Sequence, residues 1–340
     1  MKPIAVIILN WNGADLLDRY LPSVVDHTPD AIADVIVADN GSEDSSIDLL
    51  RSRFPSVRIL PLGKNYGFAE GYNRAVDATG YRYTVLLNSD VRVADDWLTP
   101  LYDFMRGHPE VGACQPKILS ARDESMFEYA GACGGFLDRH GYPYCRGRIF
   151  DTVERDNGQY DDARYIFWAS GAALMVDTTL YKEAGGLDPS FFAHMEEIDL
   201  CWRMQLLGRK IAVVPASRVY HLGGASLDAS NPRKTYLNFR NNLLMLHKNL
   251  PPGGARRRLL LVRRLLDTAA WAKFVVTLKW GHAAAIFRAH TDYRRMKKAT
   301  DVTPCPVHRN LLRDTLEGRA DIIIDYYLRG RRLFGCRSAK

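Results

Sequence analysis

Hydrophobic and polar positions along the first third of the chain alternate between two rhythms. Residues 4–9 form an unbroken apolar run, the pattern of a strand covered on both faces, and Asn10, Trp11, Asn12 and Gly13 close it. Residues 14–25 carry Leu16, Leu17, Tyr20, Leu21 and Val24 at helical spacing. Val35, Ile36 and Val37 predict a second strand that ends in the turn Ala38, Asp39, Asn40, Gly41, Ser42. Residues 57–60 predict a third strand, and residues 84–87 a fourth that breaks off into Asn88, Ser89 and Asp90. This alternation predicts an α/β fold, a mostly parallel sheet with helices on both faces.

After about residue 110 the pattern loosens. Gly131, Gly134, Gly135, Gly141 and Gly147 mark a loop-rich stretch, and residues 151–164 are polar enough to predict a mobile loop. Order returns over residues 165–176, a helical stretch follows, and residues 211–214 read as another strand. From about Asp228 the chain becomes helical and basic, which sets a boundary between residues 1–227 and 228–340.

Composition narrows the class. At 340 residues and 47% hydrophobic, the chain can build one large domain with an appendage, or two domains. A quarter of the residues are charged, which argues against global disorder. The six cysteines form no CxxC pair or zinc spacing and read as free thiols of a reducing cytosol. The run at residues 4–9 is too short for a signal-peptide core, and nothing approaches the roughly 18 apolar residues of a membrane span. The net charge of +7 is concentrated: residues 251–300 hold twelve Lys and Arg against two Asp, with Trp271, Phe274, Trp280 and Phe287 interleaved. That mixture favours an anionic lipid surface over nucleic acid, which is not expected as a partner. Two readings of the tail stand side by side, a helix lying in a membrane interface and a helix whose apolar face packs on its own domain.

The candidate chemistry lies at strand ends and one helix start. Asp90 follows a buried strand, where open α/β sheets place ligands, and a carboxylate there can hold a divalent cation against a diphosphate. Asn88 and Ser89 are neutral, so the triplet offers one firm anionic ligand. Asp39 taken alone reads as an Asx turn. Asn65, Gly67, Ala69, Gly71 and Asn73 make a helix start of little bulk, suited to phosphate approach or to tight helix–sheet packing. Glu196, Glu197 and Asp199 open a helix, where three acids complement the dipole and Asp199 can pair with Arg203. Phe191 and Phe192 stand just before, and apolar neighbours raise a carboxylate's pKa toward general-base work. His221 follows a strand-like run and precedes Gly223 and Gly224, which leave room for a neutral imidazole to ligate a metal.

Together with Ser170 to Met175, Gly185 to Asp188 and the Val219, Tyr220, His221 run, these positions resemble the family 2 glycosyltransferases, which have the GT-A fold. The match is nearest the bacterial rhamnosyltransferase-like branch and covers roughly residues 3–250. The GxGxxG dinucleotide fingerprint is absent after the first strand, which removes the main support for an NAD-binding alternative. The resemblance implies a nucleotide-binding half to about residue 115 and an acceptor half over 116–227, followed by the basic helical region. It implies that Asn10 and Asn12 line the nucleotide pocket and that Asp39 contacts the base. Asn65, Gly67 and Asn73 would border the diphosphate, with Asn88 and Asp199 also among the substrate-binding residues. Asp90 matches the last position of the family's Asp-x-Asp metal motif, whose first position here is Asn88. His221 matches a second ligand for Mn2+ or Mg2+. Glu197 takes the place of the aspartate in the family's Glu-Asp pair, the usual catalytic base, and Glu196 is the alternative base.

The expected reaction is transfer of a sugar, with inversion, from a nucleotide-sugar donor such as dTDP-rhamnose or a UDP-sugar. The acceptor is a glycan or lipid-linked glycan, and the setting is surface polysaccharide assembly at the cytoplasmic face of the membrane. A catalytically silent sugar-nucleotide-binding subunit is one alternative, suggested by Glu197 for Asp and by neutral Asn88. A sugar nucleotidyltransferase is another, but it expects a glycine-rich N-terminal loop with a basic residue, which residues 10–13 do not supply.

Overall fold

The structure is a computed structural model that describes residues 2–223, 231–300, 310–314 and 319–337. The boundary expected near Asp228 falls outside the described residues. The strands are β1 Ile4–Asn10, β2 Ala33–Asp39, β3 Arg58–Pro61, β4 Tyr83–Leu87, β5 Val91–Val93, β6 Val111–Ser120, β7 Gly135–Leu137, β8 Pro143–Cys145, β9 Arg148–Ile149, β10 Thr152–Val153, β11 Arg164–Ile166, β12 Ala173–Asp177 and β13 Lys210–His221. The helices are α1 Ala14–His27, α2 Ser46–Arg53, α3 Phe68–Asp77, α4 Thr99–Gly107, α5 Thr178–Glu183, α6 Glu196–Leu206, α7 Pro232–Asn249, α8 Gly254–Val276 and α9 Trp280–Met296.

One nine-stranded sheet runs in the order β11-β13-β6-β12-β4-β1-β2-β3, with β5 paired to β13. The half from β4 to β3 is parallel, and the other half is mixed, since β12 runs antiparallel to both β4 and β6 while β6 and β13 are parallel. The unbroken apolar run of β1 follows from its position inside the sheet. Ala5 and Ile7 enter one core with Ala69, Tyr72 and Val76 of α3, whereas Ile4, Val6 and Ile8 enter the other with Leu17, Leu21 and Val24 of α1.

Parallel register sets the edge that matters. Asn10 stands opposite Asp39, Asp39 opposite Pro61, and Ile8 opposite Leu87, so the carboxyl ends of β3, β2, β1 and β4 form one rim. Buried Tyr72 of α3 donates to the Leu87 carbonyl at 2.8 Å and fixes the last residue before Asn88.

The segment 151–164, expected to be a mobile loop, is tied down. Its Asp156 and Asp161 pair with Lys117, which is fully buried on β6, and its Asp162 pairs with buried Arg146. Buried cations need partners, and the polar composition that suggested mobility supplies them. Among the described residues the cysteines are free, with Cys114, Cys133, Cys145 and Cys201 buried and Cys336 exposed.

The C-terminal helices are not a detached appendage. Leu243, Leu244, Met245 and Leu246 of α7 and Tyr293 of α9 belong to the same core as α3 and α6. Helix α8 reverses the usual pattern: its buried residues are Arg263 and Asp267, while Leu261, Leu265 and Val276 are exposed. The buried pair meets Tyr142 and His290, with Asp267 accepting from Tyr142 at 3.2 Å and lying 3.1 Å from His290 Nε2. Among the described residues no helix is long and apolar enough to cross a membrane.

Candidate active site

At the rim, polar side chains bond one another in a continuous row. Asn10 Nδ2 donates to Asp39 Oδ1 at 3.2 Å and to Ser42 Oγ at 3.1 Å, and Asp39 Oδ2 accepts from the Ser42 N–H at 3.1 Å. Asn12, at φ 50°, accepts from the Glu43 N–H and donates its own N–H to Ser42. Asn40, which the sequence placed only in a turn, is the staple between this row and α3. Its amide donates to Asn65 Oδ1 at 3.2 Å and to the Gly67 carbonyl at 3.1 Å, and its oxygen accepts from Tyr66. The buried Asn10 Oδ1 has no protein partner and is free to accept from a ligand.

The two glycines of the α3 start play different parts. Gly67 has φ 79° and open space where a Cβ would stand, so backbone conformation and access explain it. A Cβ on Gly71 would lie 2.9 Å from Leu9 Cδ2, which is helix–sheet packing. Asn73 has moved away from the expected diphosphate role: its oxygen accepts from Tyr181 at 2.6 Å and from the Leu187 N–H at 2.9 Å, and its amide donates to the Leu187 carbonyl at 2.8 Å. That leaves it a brace between α3 and the loop before α6.

Asp90 and His221 meet although 131 residues separate their numbers, because β5 pairs with β13 and places Val91 opposite His221. His221 Nε2 lies 3.1 Å from Asp90 Oδ1, and both side chains are buried. Glu128, which the sequence reading missed, stands on the other side with Oε1 3.5 Å from His221 Nδ1, an ionic contact longer than a hydrogen bond. Burial pushes the imidazole down, but Asp90 and Glu128 outweigh it and lift its pKa to about 10. Gly223 makes room for this: at φ 61°, a Cβ there would approach Glu128 Oε1 to 2.7 Å. Among the described residues, no group of three or more His, Cys, Asp or Glu is arranged to hold a metal. Without a cation, Asp90 and Glu128 keep the ring protonated; Asp90 and His221 would fit a divalent cation that displaces the proton on Nε2 and leaves positions open for diphosphate oxygens.

Helix α6 carries the carboxylates. Glu197 faces the end of β12, since a Cβ on Gly171 would lie 3.6 Å from Glu197 Cβ and 3.9 Å from Phe68 Cζ. One turn on, Cys201 accepts from the Ala169 N–H, as expected of positions four apart on one face. The Asn88 N–H bonds Ala172, so this segment adjoins the triplet that ends in Asp90. Glu196 and Glu197 each have an unpartnered buried Oε2. Burial raises the pKa of Glu197 to about 7, against the pull of backbone N–H groups. Burial, and then the charge of Glu197, raise the pKa of Glu196 well above its ordinary value. Asp199, expected to bind substrate, is instead a fully buried anchor: it accepts from Arg203 at 2.8 Å, Lys248 at 2.9 Å and Asn249 at 2.7 Å.

Residues 5–132 match the model for glycosyl transferase family 2. The chain is 27% identical over 234 residues to an N-acetylglucosaminyl-diphospho-decaprenol L-rhamnosyltransferase of Mycobacterium tuberculosis, a match covering 64% of this chain and 75% of that protein. It is 26% identical over 226 residues to mouse polypeptide N-acetylgalactosaminyltransferase 16, covering 64% of this chain and 40% of that protein. The fold is similar to a mannosyltransferase from Pyrobaculum calidifontis in complex with GDP-Man and Mn2+, with a TM-score of 0.53, 14% identity, and coverage of 88% of this chain and 84% of that one. It is also similar to S. aureus TarS residues 1–349 in complex with UDP-GlcNAc, with a TM-score of 0.56, 15% identity, and coverage of 88% and 84%.

Proposed function

We propose that this chain, a rhamnosyltransferase-like family 2 glycosyltransferase with the GT-A fold, moves a sugar from a nucleoside-diphosphate donor to a hydroxyl of a lipid-linked glycan with inversion. The observation that carries the reading is Glu197, a buried carboxylate whose pKa of about 7 lets it take and release a proton near neutrality, next to the strand end that bears Asp90. The rim of Asn10, Asn12, Asp39 and Asn65 receives the nucleotide, and Gly67 leaves the α3 N-terminus open to the diphosphate. Asp90 and His221 would hold a divalent cation, Mn2+ or Mg2+, whose charge would offset that of the leaving diphosphate. Glu197 draws the proton from the acceptor hydroxyl as that oxygen attacks the face opposite the leaving group. One displacement needs no covalent enzyme intermediate and inverts the anomeric carbon.

The name of the mycobacterial relative supports rhamnose as the transferred sugar and a sugar-diphospho-polyprenol as acceptor, with dTDP-rhamnose as the first donor to test and UDP-sugars, as in the TarS complex, as the second choice. The test is a panel of sugar nucleotides with Mn2+ or Mg2+ and a synthetic N-acetylglucosaminyl-diphospho-polyprenol. Acceptor-dependent, cation-dependent release of one nucleoside diphosphate is expected. Binding of a sugar nucleotide without any turnover would point instead to a silent subunit.

The reversed helix α8 supports a membrane-side location and assembly of a surface polysaccharide. Leu261, Leu265 and Val276 form an exposed stripe at helical spacing, continued by exposed Leu278, Trp280 and Phe287. Arg257, Arg258, Arg264, Lys273 and Lys279 flank it and are exposed as well. An apolar stripe with a cationic border suits an anionic bilayer surface. Vesicles of phosphatidylglycerol and phosphatidylcholine are expected to carry the protein upward in a flotation gradient. The triple variant Leu261→Glu, Leu265→Glu, Trp280→Glu should remain at the bottom while still folding. Equal flotation of both would sink the membrane reading.

A further inference from the structure

We infer that Arg240 and Asn241 of α7 are positioning residues for Glu197, holding the strained turn from which the base-bearing helix starts. The inference rests on the reading of Glu197 as the base. Phe192, His194 and Met195 have φ of 67°, 67° and 75°, a run of left-handed conformations that bulky L-residues seldom adopt. Met195 is the residue before Glu196, and no side chain caps the helix there. The turn is not repaid by its own side chains, because His194 Nε2 is buried without a partner. Backbone bonds from the Phe192 N–H to Pro189 and from the Ala193 N–H to Phe191 close only its first half, and the second half needs support from outside.

Helix α7 supplies it. The fully buried Asn241 amide donates to the carbonyls of Phe191 at 2.9 Å, Ala193 at 2.8 Å and His194 at 2.7 Å. Arg240 Nη2 donates to the Phe191 carbonyl at 2.7 Å and the Ser190 carbonyl at 3.2 Å. Arg240 Nε also donates to Asn241 Oδ1 at 2.8 Å, which turns the amide's NH2 group toward the turn. Behind Arg240, the Tyr236 hydroxyl lies 3.3 Å from Nη1 and donates to Asp292 of α9 at 2.8 Å. The chain of bonds thus runs from α9 to the His194 carbonyl, two residues before the first of the two glutamates.

A separate set of bonds docks the rest of α6. Asp199 and Arg203 are held by Lys248, Asn249 and the carbonyls of Ala184 and Gly186. Loss of the brace should therefore loosen the turn and misplace Glu197 while the helix and the donor rim stay where they are. The signature is a loss in kcat with donor affinity retained, since small displacements of a reacting group cost large factors in rate.

The test compares wild type with Asn241→Ala, Asn241→Asp and Arg240→Lys. It measures kcat and the donor KM for transfer to the synthetic acceptor, the Kd of dTDP or UDP with Mn2+ by calorimetry, and thermal melting. Asn241→Ala is expected to lower kcat roughly tenfold to a hundredfold, with donor KM and nucleotide Kd within about twofold. Asn241→Asp should lose more, because its carboxylate faces three carbonyl oxygens. Arg240→Lys keeps the charge and one donor and should retain an intermediate rate, which keeps the test open if an Asn241 variant misfolds. Unchanged kcat, or a kcat loss that only tracks lost nucleotide binding and melting, overturns the inference. Glu197→Gln is run in parallel. If it still transfers sugar, the base assignment has failed; if it is inactive while Asn241→Ala turns over normally, only the brace has failed.

Discussion

Glu197→Gln is expected to reduce transfer by about 10²–10⁴-fold, the usual worth of a general base, while the nucleotide Kd changes less than about twofold. The amide keeps the shape and hydrogen-bonding reach of the side chain but cannot accept the acceptor's proton. In the wild type, kcat should rise with pH through about 7 on the acid limb, because the base works only when deprotonated. A stability measurement gives an independent check. Burial raises the folded-state pKa of Glu197 above its ordinary value, so the folded state binds the proton more tightly than the unfolded one. Stability attached to that proton is present at low pH and is lost as pH rises from the unfolded value toward about 7. Glu197→Gln should therefore melt higher than wild type at pH 8, and the difference should vanish at pH 4. Equal melting at pH 8 would show that the carboxylate is not held in a desolvated place. A full transfer rate in the variant would remove Glu197 from the chemistry.

Asp90→Ala and His221→Ala are the second pair with large expected effects, each lowering cation-dependent turnover at least about a hundredfold. The two variants should resemble one another, since the side chains sit 3.1 Å apart and neither has a second carboxylate in the Asn88 triplet to take its place. Donor KM should rise with the loss of rate, because the same charge that favours the leaving group also holds the ground-state diphosphate. Glu128→Gln should cost less, about tenfold to a hundredfold in apparent metal affinity, as for a residue that orients a ligand. Activity of His221→Ala that needs no more Mn2+ than wild type would assign the cation elsewhere.

Much of the parallel half of the sheet was legible from pattern alone. Buried parallel strands are apolar on both faces, so β1 and β4 stand out as unbroken runs, and the polar residues that end them had to fall at the sheet's carboxyl edge. The α3 start was also visible as a cluster of small residues, although only packing could separate Gly67, which is open to approach, from Gly71, which is pressed on Leu9. Asn73 and Asp199 carried residue types that suit either a ligand or a scaffold. Both lie on helix faces turned toward other elements, and tertiary partners decided for the scaffold.

Other features had no local signal. Glu128 lies in an irregular glycine-rich stretch, where no periodicity points at a particular side chain, and it gains its place only because the chain folds back against Gly223. Arg240 and Asn241 belong to a polar run that reads as a solvated helix face, yet they are buried beneath the turn at Phe191. The acids of residues 151–164 suggested mobility, and only the distant Lys117 and Arg146 give them fixed partners. Helix α8 is the plainest case. Its composition supported a lipid-facing helix and a self-packing helix equally, and the structure buries its polar pair Arg263 and Asp267 while Leu261, Leu265 and Val276 face outward.

By itself, then, the sequence determined the strands and helices of the N-terminal, parallel half and the chemical types available at the rim, because these depend on hydrophobic period and on neighbours close in the chain. Tertiary structure alone decided which carboxylate meets His221, how deeply Glu196 and Glu197 are desolvated, which polar residues hold the fold, and which face of α8 is left outward. Those outcomes depend on contacts between residues distant in the chain, such as Asp90 with His221 and Asn241 with Phe191, and on the dielectric surroundings that such contacts create.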